Sequence, residues 1–140
     1  MKKYILYTDG GARGNPGSAA AGMVIYDEDK NELDSFAAYL GETTNNQAEY
    51  QALVMGLGRV FDIADKENSV SEAVVEAFLD SELIVRQLNG EYKIKNKDLK
   101  PLFVKAEELA GKFSRVIFKH IPREENSVAD ALLNDELDNH

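Results

Sequence analysis

The sequence predicts an α/β domain built on a mixed five-stranded sheet, three strands antiparallel and then two parallel, with helices on both faces. Two observations carry this. Up to residue 43, apolar residues fall in short strand-length runs between turn formers, whereas from Asn45 onward they recur at helical spacing. The later strand-like runs are separated by helical stretches, and such connections favour parallel pairing, while tight turns force antiparallel pairing.

Residues 4–8 are β-formers suited to a buried central strand. Gly10-Gly11-Ala12-Arg13-Gly14-Asn15-Pro16-Gly17 follows, dense in turn formers and therefore expected as a loop. Runs at 20–26 and 33–39 flank the polar stretch Asp27-Glu28-Asp29-Lys30-Asn31 and form a hairpin. Leu53, Leu57, Val60, Phe61 and Ala64 then mark one apolar helix face, with Thr43, Thr44, Asn45 and Asn46 as candidate N-caps. Residues 73–79 are the fourth strand. A short helix over 81–89 stops at Gly90, glycine being favoured just past a helix end. A helix over 99–112, a strand over 115–119 and a last helix capped by Asn126, with Val128, Ala129, Leu132, Leu133 and Leu137, complete the order.

No repeat or low-complexity linker interrupts the 140 residues, so one domain over 1–140 is expected. A composition of 44 % hydrophobic and 29 % charged residues is that of a globular rather than a disordered chain. The absence of cysteine excludes disulfides, and with them a disulfide-linked partner, as well as thiolate metal sites. Met1-Lys2-Lys3-Tyr4 leads directly into a strand, with no signal peptide and no membrane span, so the expected location is cytoplasmic and no membrane partner is expected. The net charge of −9 weighs against binding nucleic acid through a general basic face. A polyanion then requires bound cations that reverse the local sign, or clustered basic residues.

Four acids occupy element ends. Asp9 closes the first strand and Asp80 the fourth; Glu49 lies four residues before Leu53 on the buried stripe of the long helix; Asp130 lies near the start of the last helix. Each also fits an ordinary role. Asp9 can start a turn, Asn46 and Glu49 can form a capping box, Asp80 can cap the next helix, and Asp130 can complement a helix dipole. Their joint placement is harder to explain that way. If the first and fourth strands are parallel neighbours, Asp9 and Asp80 meet at the carboxyl edge, where ligands bind in such sheets. Crowded carboxylates persist with cations between them. Oxygen-only donors suit a hard ion such as Mg²⁺, and four acids can hold two ions about 4 Å apart for in-line phosphoryl displacement.

Tyr-Thr-Asp-Gly-Gly at 7–11, Gly-Asn-Pro-Gly at 14–17, Thr-Thr-Asn-Asn-Gln-Ala-Glu at 43–49, Leu-Asp-Ser at 79–81 and Glu-Asn-Ser-Val-Ala-Asp at 125–130, in this order, resemble the motifs of type 1 ribonuclease H over nearly the whole chain. The resemblance implies an RNase H-like fold and an endoribonuclease that hydrolyses the RNA strand of RNA–DNA hybrids, leaving 5′-phosphate and 3′-hydroxyl ends. It implies two Mg²⁺ ions, with Mn²⁺ a possible substitute. Asp9 would bridge both; Asp130 would hold the ion that activates water; Glu49 and Asp80 would hold the ion at the leaving oxygen. Asn15 and Asn45 match positions that read the hybrid, and Thr44, Asn46 and Asn96 match positions that hold a DNA-strand phosphate. The small Gly10-Gly11 backbone admits close approach of a ribose, and Gln47 carries a further amide suited to a minor groove. His120, ten residues before Asp130, matches a loop histidine that aids proton transfer or product release. The family expectation for assembly is a monomer.

Departures from the family pattern are also legible. Glu82 stands where many members carry a glutamine, and an ionised carboxylate cannot donate a hydrogen bond. The segment after Gly90 is too short for a basic protrusion, leaving Lys93, Lys95, Lys97 and Lys100 as either a DNA-backbone handle or a solvated face. Tyr92 is open between a deoxyribose-stacking role and a hinge role, and no separate hybrid-binding domain is expected before Met1.

Overall fold

The computed structural model describes residues 2–140. Strands β1 (Lys2–Gly14), β2 (Gly17–Asp27) and β3 (Glu32–Thr43) precede helix α1 (Asn45–Lys66); β4 (Ala73–Leu79), α2 (Glu82–Leu88), α3 (Lys100–Ala110), β5 (Arg115–His120) and α4 (Ser127–Asp138) follow. The sheet order is β3-β2-β1-β4-β5, with β1–β2 and β2–β3 antiparallel and β1–β4 and β4–β5 parallel. The expected mixed sheet is therefore present. Among the described residues, no helix is long and apolar enough to cross a membrane.

Burial follows the sequence pattern. Along β4, Ala73, Val75, Ala77 and Leu79 are buried and alternate with partly exposed Val74, Glu76 and Phe78, the signature of a strand with one face on the core. Leu53, Leu57, Val60 and Ala64 of α1 are fully buried against Tyr4, Leu6, Met23 and Ile25 of the sheet, while Phe61 is only half-buried. On the opposite face α4 packs against β2 and β3, burying Leu133 and Leu137 against Ala20. Because helices cover both faces of β2, its residues from Ala19 to Ile25 are buried without alternation.

One expectation is corrected. Residues 10–14 are not a loop: Gly10, Gly11 and Ala12 continue β1 and pair with Ala21, Ala20 and Ala19 of β2, and the reversal is confined to Asn15 and Pro16. The glycines are there for close approach. A Cβ on Gly10 would lie 2.2 Å from the Ala48 carbonyl oxygen in α1, and one on Gly22 would lie 2.2 Å from that of Ala129 in α4. Both helices are thus seated on glycine backbone at the end of the sheet where the acids cluster.

Candidate active site

The ladder between β1 and β4 ends at the pair Tyr7–Phe78. Asp9 and Asp80 each lie two residues beyond it, on strands that run side by side and then part. Glu49 is delivered by α1. The start of that helix is fixed by a capping box in which the Thr44 hydroxyl accepts from the Gln47 N–H at 3.2 Å and the Gln47 side chain returns to the Thr44 backbone. Glu49 is therefore free of any capping duty; its Oε1 accepts from the Gly10 N–H at 3.3 Å. Ser81, not Asp80, caps α2. The ordinary capping roles open to these two acids are filled by neighbours.

Asp9 is 5 % exposed and Glu49 6 %, and one carboxylate oxygen from each of Asp9, Glu49 and Asp80 lies within 4.8 Å of the others. Burial pushes the Asp9 carboxyl up to about 7, opposed by its hydrogen bond with Glu49 and reinforced by the charges of Asp80 and Asp130. Burial, and then the bond with Asp9, drive Glu49 well above the usual carboxylate range. Without a cation, burial and mutual repulsion disfavour the charged form of both acids. Asp80 is raised by burial, against the opposing Asn126 hydrogen bond and Arg123 charge. Asp130, half-buried on α4, lines the same cleft of about 450 Å³. Glu49 Oε2 is buried with no hydrogen-bond partner. A crowded all-oxygen donor set with an orphaned buried oxygen fits a hard divalent cation, because the cation supplies what that oxygen lacks and relieves the repulsion.

Four of the candidate substrate contacts, Gly10, Gly11, Asn45 and Asn46, lie in the lining of this cleft. Asn45 Oδ1 accepts from the Ala12 N–H at 2.8 Å, and Asn15 Oδ1 accepts from the Asn45 N–H at 3.0 Å. Gln47 Oε1 accepts from the Thr44 N–H and from the hydroxyls of Thr43 and Thr44. All three amides thus turn their oxygens into the protein. Their NH₂ groups are engaged by none of these bonds and remain available as donors. Thr44 is largely committed to the capping box. Asn96 lies apart from the cleft lining, on the connection between α2 and α3, where its Oδ1 accepts from the Asp98 N–H at 2.8 Å. His120 is exposed and is the last residue of β5 rather than part of a loop, opposite Leu79 and so one residue from Asp80 in register. Glu82 is tied to Arg86 at 2.9 Å. Tyr92 is 48 % exposed with the Arg86 guanidinium over its ring, which argues against a buried hinge.

Two residues of the site were not read as such from sequence, Asn126 being expected only as a helix cap. Arg123 lines the cleft, its Nη2 3.6 Å from Asp130 Oδ1; the one available signal was a lone cation beside an acidic pair. Asn126 stands at the N-cap position of α4, yet its side chain bonds none of the helix N–H groups. It donates instead to the Thr8 carbonyl at 2.8 Å and to Asp80 Oδ2 at 3.1 Å.

Comparison with known proteins places this architecture. The family described as reverse transcriptase-like matches residues 7–136. A protein of Mycobacterium tuberculosis described as bifunctional is 40 % identical over 97 % of this chain, which covers 36 % of that protein. Ribonuclease HI of Halobacterium salinarum is 38 % identical over 94 % of the chain and 63 % of its own length. The chain thus spans only about a third to two-thirds of the length of these relatives. The crystal structure of the Halobacterium salinarum RNase H1 superposes with a TM-score of 0.91 at 36 % identity, covering 99 % of both chains. That of LC11-RNase H1, an enzyme isolated from compost, in complex with an RNA/DNA hybrid gives 0.87 at 48 % identity over 94 % of both.

Proposed function

This chain belongs to the type 1 ribonuclease H family, and from that premise we propose that it is an endonuclease hydrolysing the RNA strand of RNA–DNA hybrids, with divalent metal ions held by Asp9, Glu49, Asp80 and Asp130. The observation that carries the reading is the convergence of Asp9, Glu49 and Asp80 within 4.8 Å just past the last β1–β4 pair, with one buried oxygen unpartnered. Two Mg²⁺ ions, or Mn²⁺ in their place, would activate water for in-line attack and neutralise the leaving 3′ oxygen, giving 5′-phosphate and 3′-hydroxyl ends.

The chain's own residues hold and select the substrate. The NH₂ groups of Asn15, Asn45 and Gln47, left unused by the hydrogen bonds of their oxygens, are suited to the acceptors of a minor groove and to 2′-hydroxyl oxygens. Thr44, Asn46 and Asn96 would hold a phosphate of the DNA strand, Thr44 from within its capping box and Asn96 from the connection between α2 and α3. Arg123 brings a positive charge to the cleft, where it would face the phosphate being cleaved. His120, exposed and one residue from Asp80 in register, would take up or deliver a proton as product leaves.

Cleavage assays with Mg²⁺ on matched hybrid, duplex DNA and duplex RNA test the activity, with cutting of the hybrid and its loss in EDTA expected. Substrate choice is tested by replacing a short stretch of the RNA strand with deoxynucleotides. Each unpaired polar group facing a missing hydroxyl costs about 1–3 kcal/mol, so cleavage should stop within the stretch and continue outside it. Efficient cutting between consecutive deoxynucleotides would mean a general nuclease.

A further inference from the structure

We propose that Asn126 is a positioning residue whose side-chain amide, bridging the gap where β1 and β4 part, sets the spacing of the metal-holding carboxylates; this rests on the metal-dependent reading of the cluster. The last pair of the β1–β4 ladder is Tyr7–Phe78, so the Thr8 carbonyl lies just past the strand partner that would otherwise bond it. The Asn126 NH₂ fills that place, donating to Thr8 O at 2.8 Å and to Asp80 Oδ2 at 3.1 Å. Thr8 is the residue before Asp9, so one amide ties the backbone carrying one acid to the side chain of another. Asn126 reaches a third acid through its own carbonyl, which accepts from the Asp130 N–H at 3.1 Å in the first turn of α4.

The amide has only one useful orientation. Both partners of its NH₂ are acceptors, so turning it over would set its oxygen against a carbonyl and a carboxylate. Asn126 is 1 % exposed and its Oδ1 is buried without a partner, an unfavourable arrangement that a residue serving only to begin a helix has no reason to keep. A hollow of about 260 Å³ lies on another side of Asn126, lined by Tyr7, Tyr26 and Val128 among others. Its two side-chain hydrogen bonds nonetheless run to Thr8 and Asp80. Groups that orient metal ligands in this way affect affinity without touching substrate.

Asn126→Ser separates this role from capping. Serine begins helices about as well as asparagine, but its single hydroxyl cannot bridge the two acceptors. Calorimetric Mg²⁺ titration without hybrid should show Kd raised about 10–100-fold, with kcat reduced over a similar range, KM for hybrid within about 2-fold, and a cooperative thermal transition retained. Unchanged Kd and kcat in a folded variant would overturn the inference. If the wild type itself binds no Mg²⁺, the metal-dependent reading fails instead. Should Asn126→Ser not fold, the wild-type side-chain NH₂ resonances decide. Slow solvent exchange, with shifts that follow Mg²⁺ titration at the midpoint of the calorimetric curve, is expected, whereas freely exchanging protons unmoved by Mg²⁺ would refute the bridge.

Discussion

Asp9 illustrates how a single carboxylate trades stability for chemistry. Its group is pushed up to about 7 by burial, so between about pH 4 and pH 7 the folded, metal-free protein binds more protons than the unfolded chain. Stability therefore falls as pH rises through that window, and the full penalty is present above it. Asp9→Asn removes the charge while keeping the shape. In urea denaturation with EDTA it should gain about 1–3 kcal/mol at pH 8, with the gain vanishing toward pH 4. Mg²⁺ should stabilise the wild type by about 1.4 kcal/mol for each tenfold excess over Kd and the variant far less. Cleavage should be lost, because a neutral amide cannot anchor two divalent ions. Near-normal turnover, or a stability gain that ignores pH, would count against the assignment of Asp9.

At the level of elements, the site depends on how closely two helices sit on the sheet. Gly10 and Gly22 allow α1 and α4 to lie on backbone, and a methyl group on Gly10 would meet Ala48 backbone, which cannot swing aside. Gly10→Ala should cost on the order of 2–4 kcal/mol and lower activity by displacing Glu49. Gly58, also in α1, has open space at its Cβ position, so Gly58→Ala should stabilise by about 0.5–1 kcal/mol and leave cleavage intact. Equal effects at both positions in denaturant titrations would contradict the seating argument. The same contrast explains what could be read from sequence. Element order and the four acids were legible, because period and motif spacing are local properties. Residues 10–14 looked like a loop because glycine marks a turn and a close helix contact alike, and only the tertiary partner tells them apart. Asn126 looked like a cap for a similar reason: its position was the expected one, but its side chain had acceptors on two other elements, 118 and 46 residues away in sequence. Arg123 gave no periodic signal, since it sits in a short 3₁₀ turn whose placement over the cleft depends on the sheet edge.

Across the whole molecule, the proposed function would require a chain of net charge −9 to approach a polyanion, and its long-range field would oppose the encounter. Two local features can reverse this. Divalent ions at the carboxylate cluster would convert its most negative point into a positive one. The connection between α2 and α3 adds Lys93, Lys95 and Lys97, all exposed and, among the described residues, without ion pairs. These cations flank Asn96, the residue expected to help hold a DNA-strand phosphate, so both groups would meet the same strand away from the scissile bond. Such contacts release condensed counterions, and each phosphate neutralised adds about 0.7–0.9 to the slope of log affinity against log salt. Replacing all three lysines with alanine should therefore weaken hybrid binding, flatten that slope by about 2–3, and leave kcat at saturating hybrid nearly unchanged. Binding isotherms at several salt concentrations, with Ca²⁺ in place of Mg²⁺ to suppress turnover, make the measurement. If slope and affinity match the wild type, the connection is only a solvated face, and attraction must come from the metal-loaded cleft and Arg123 alone.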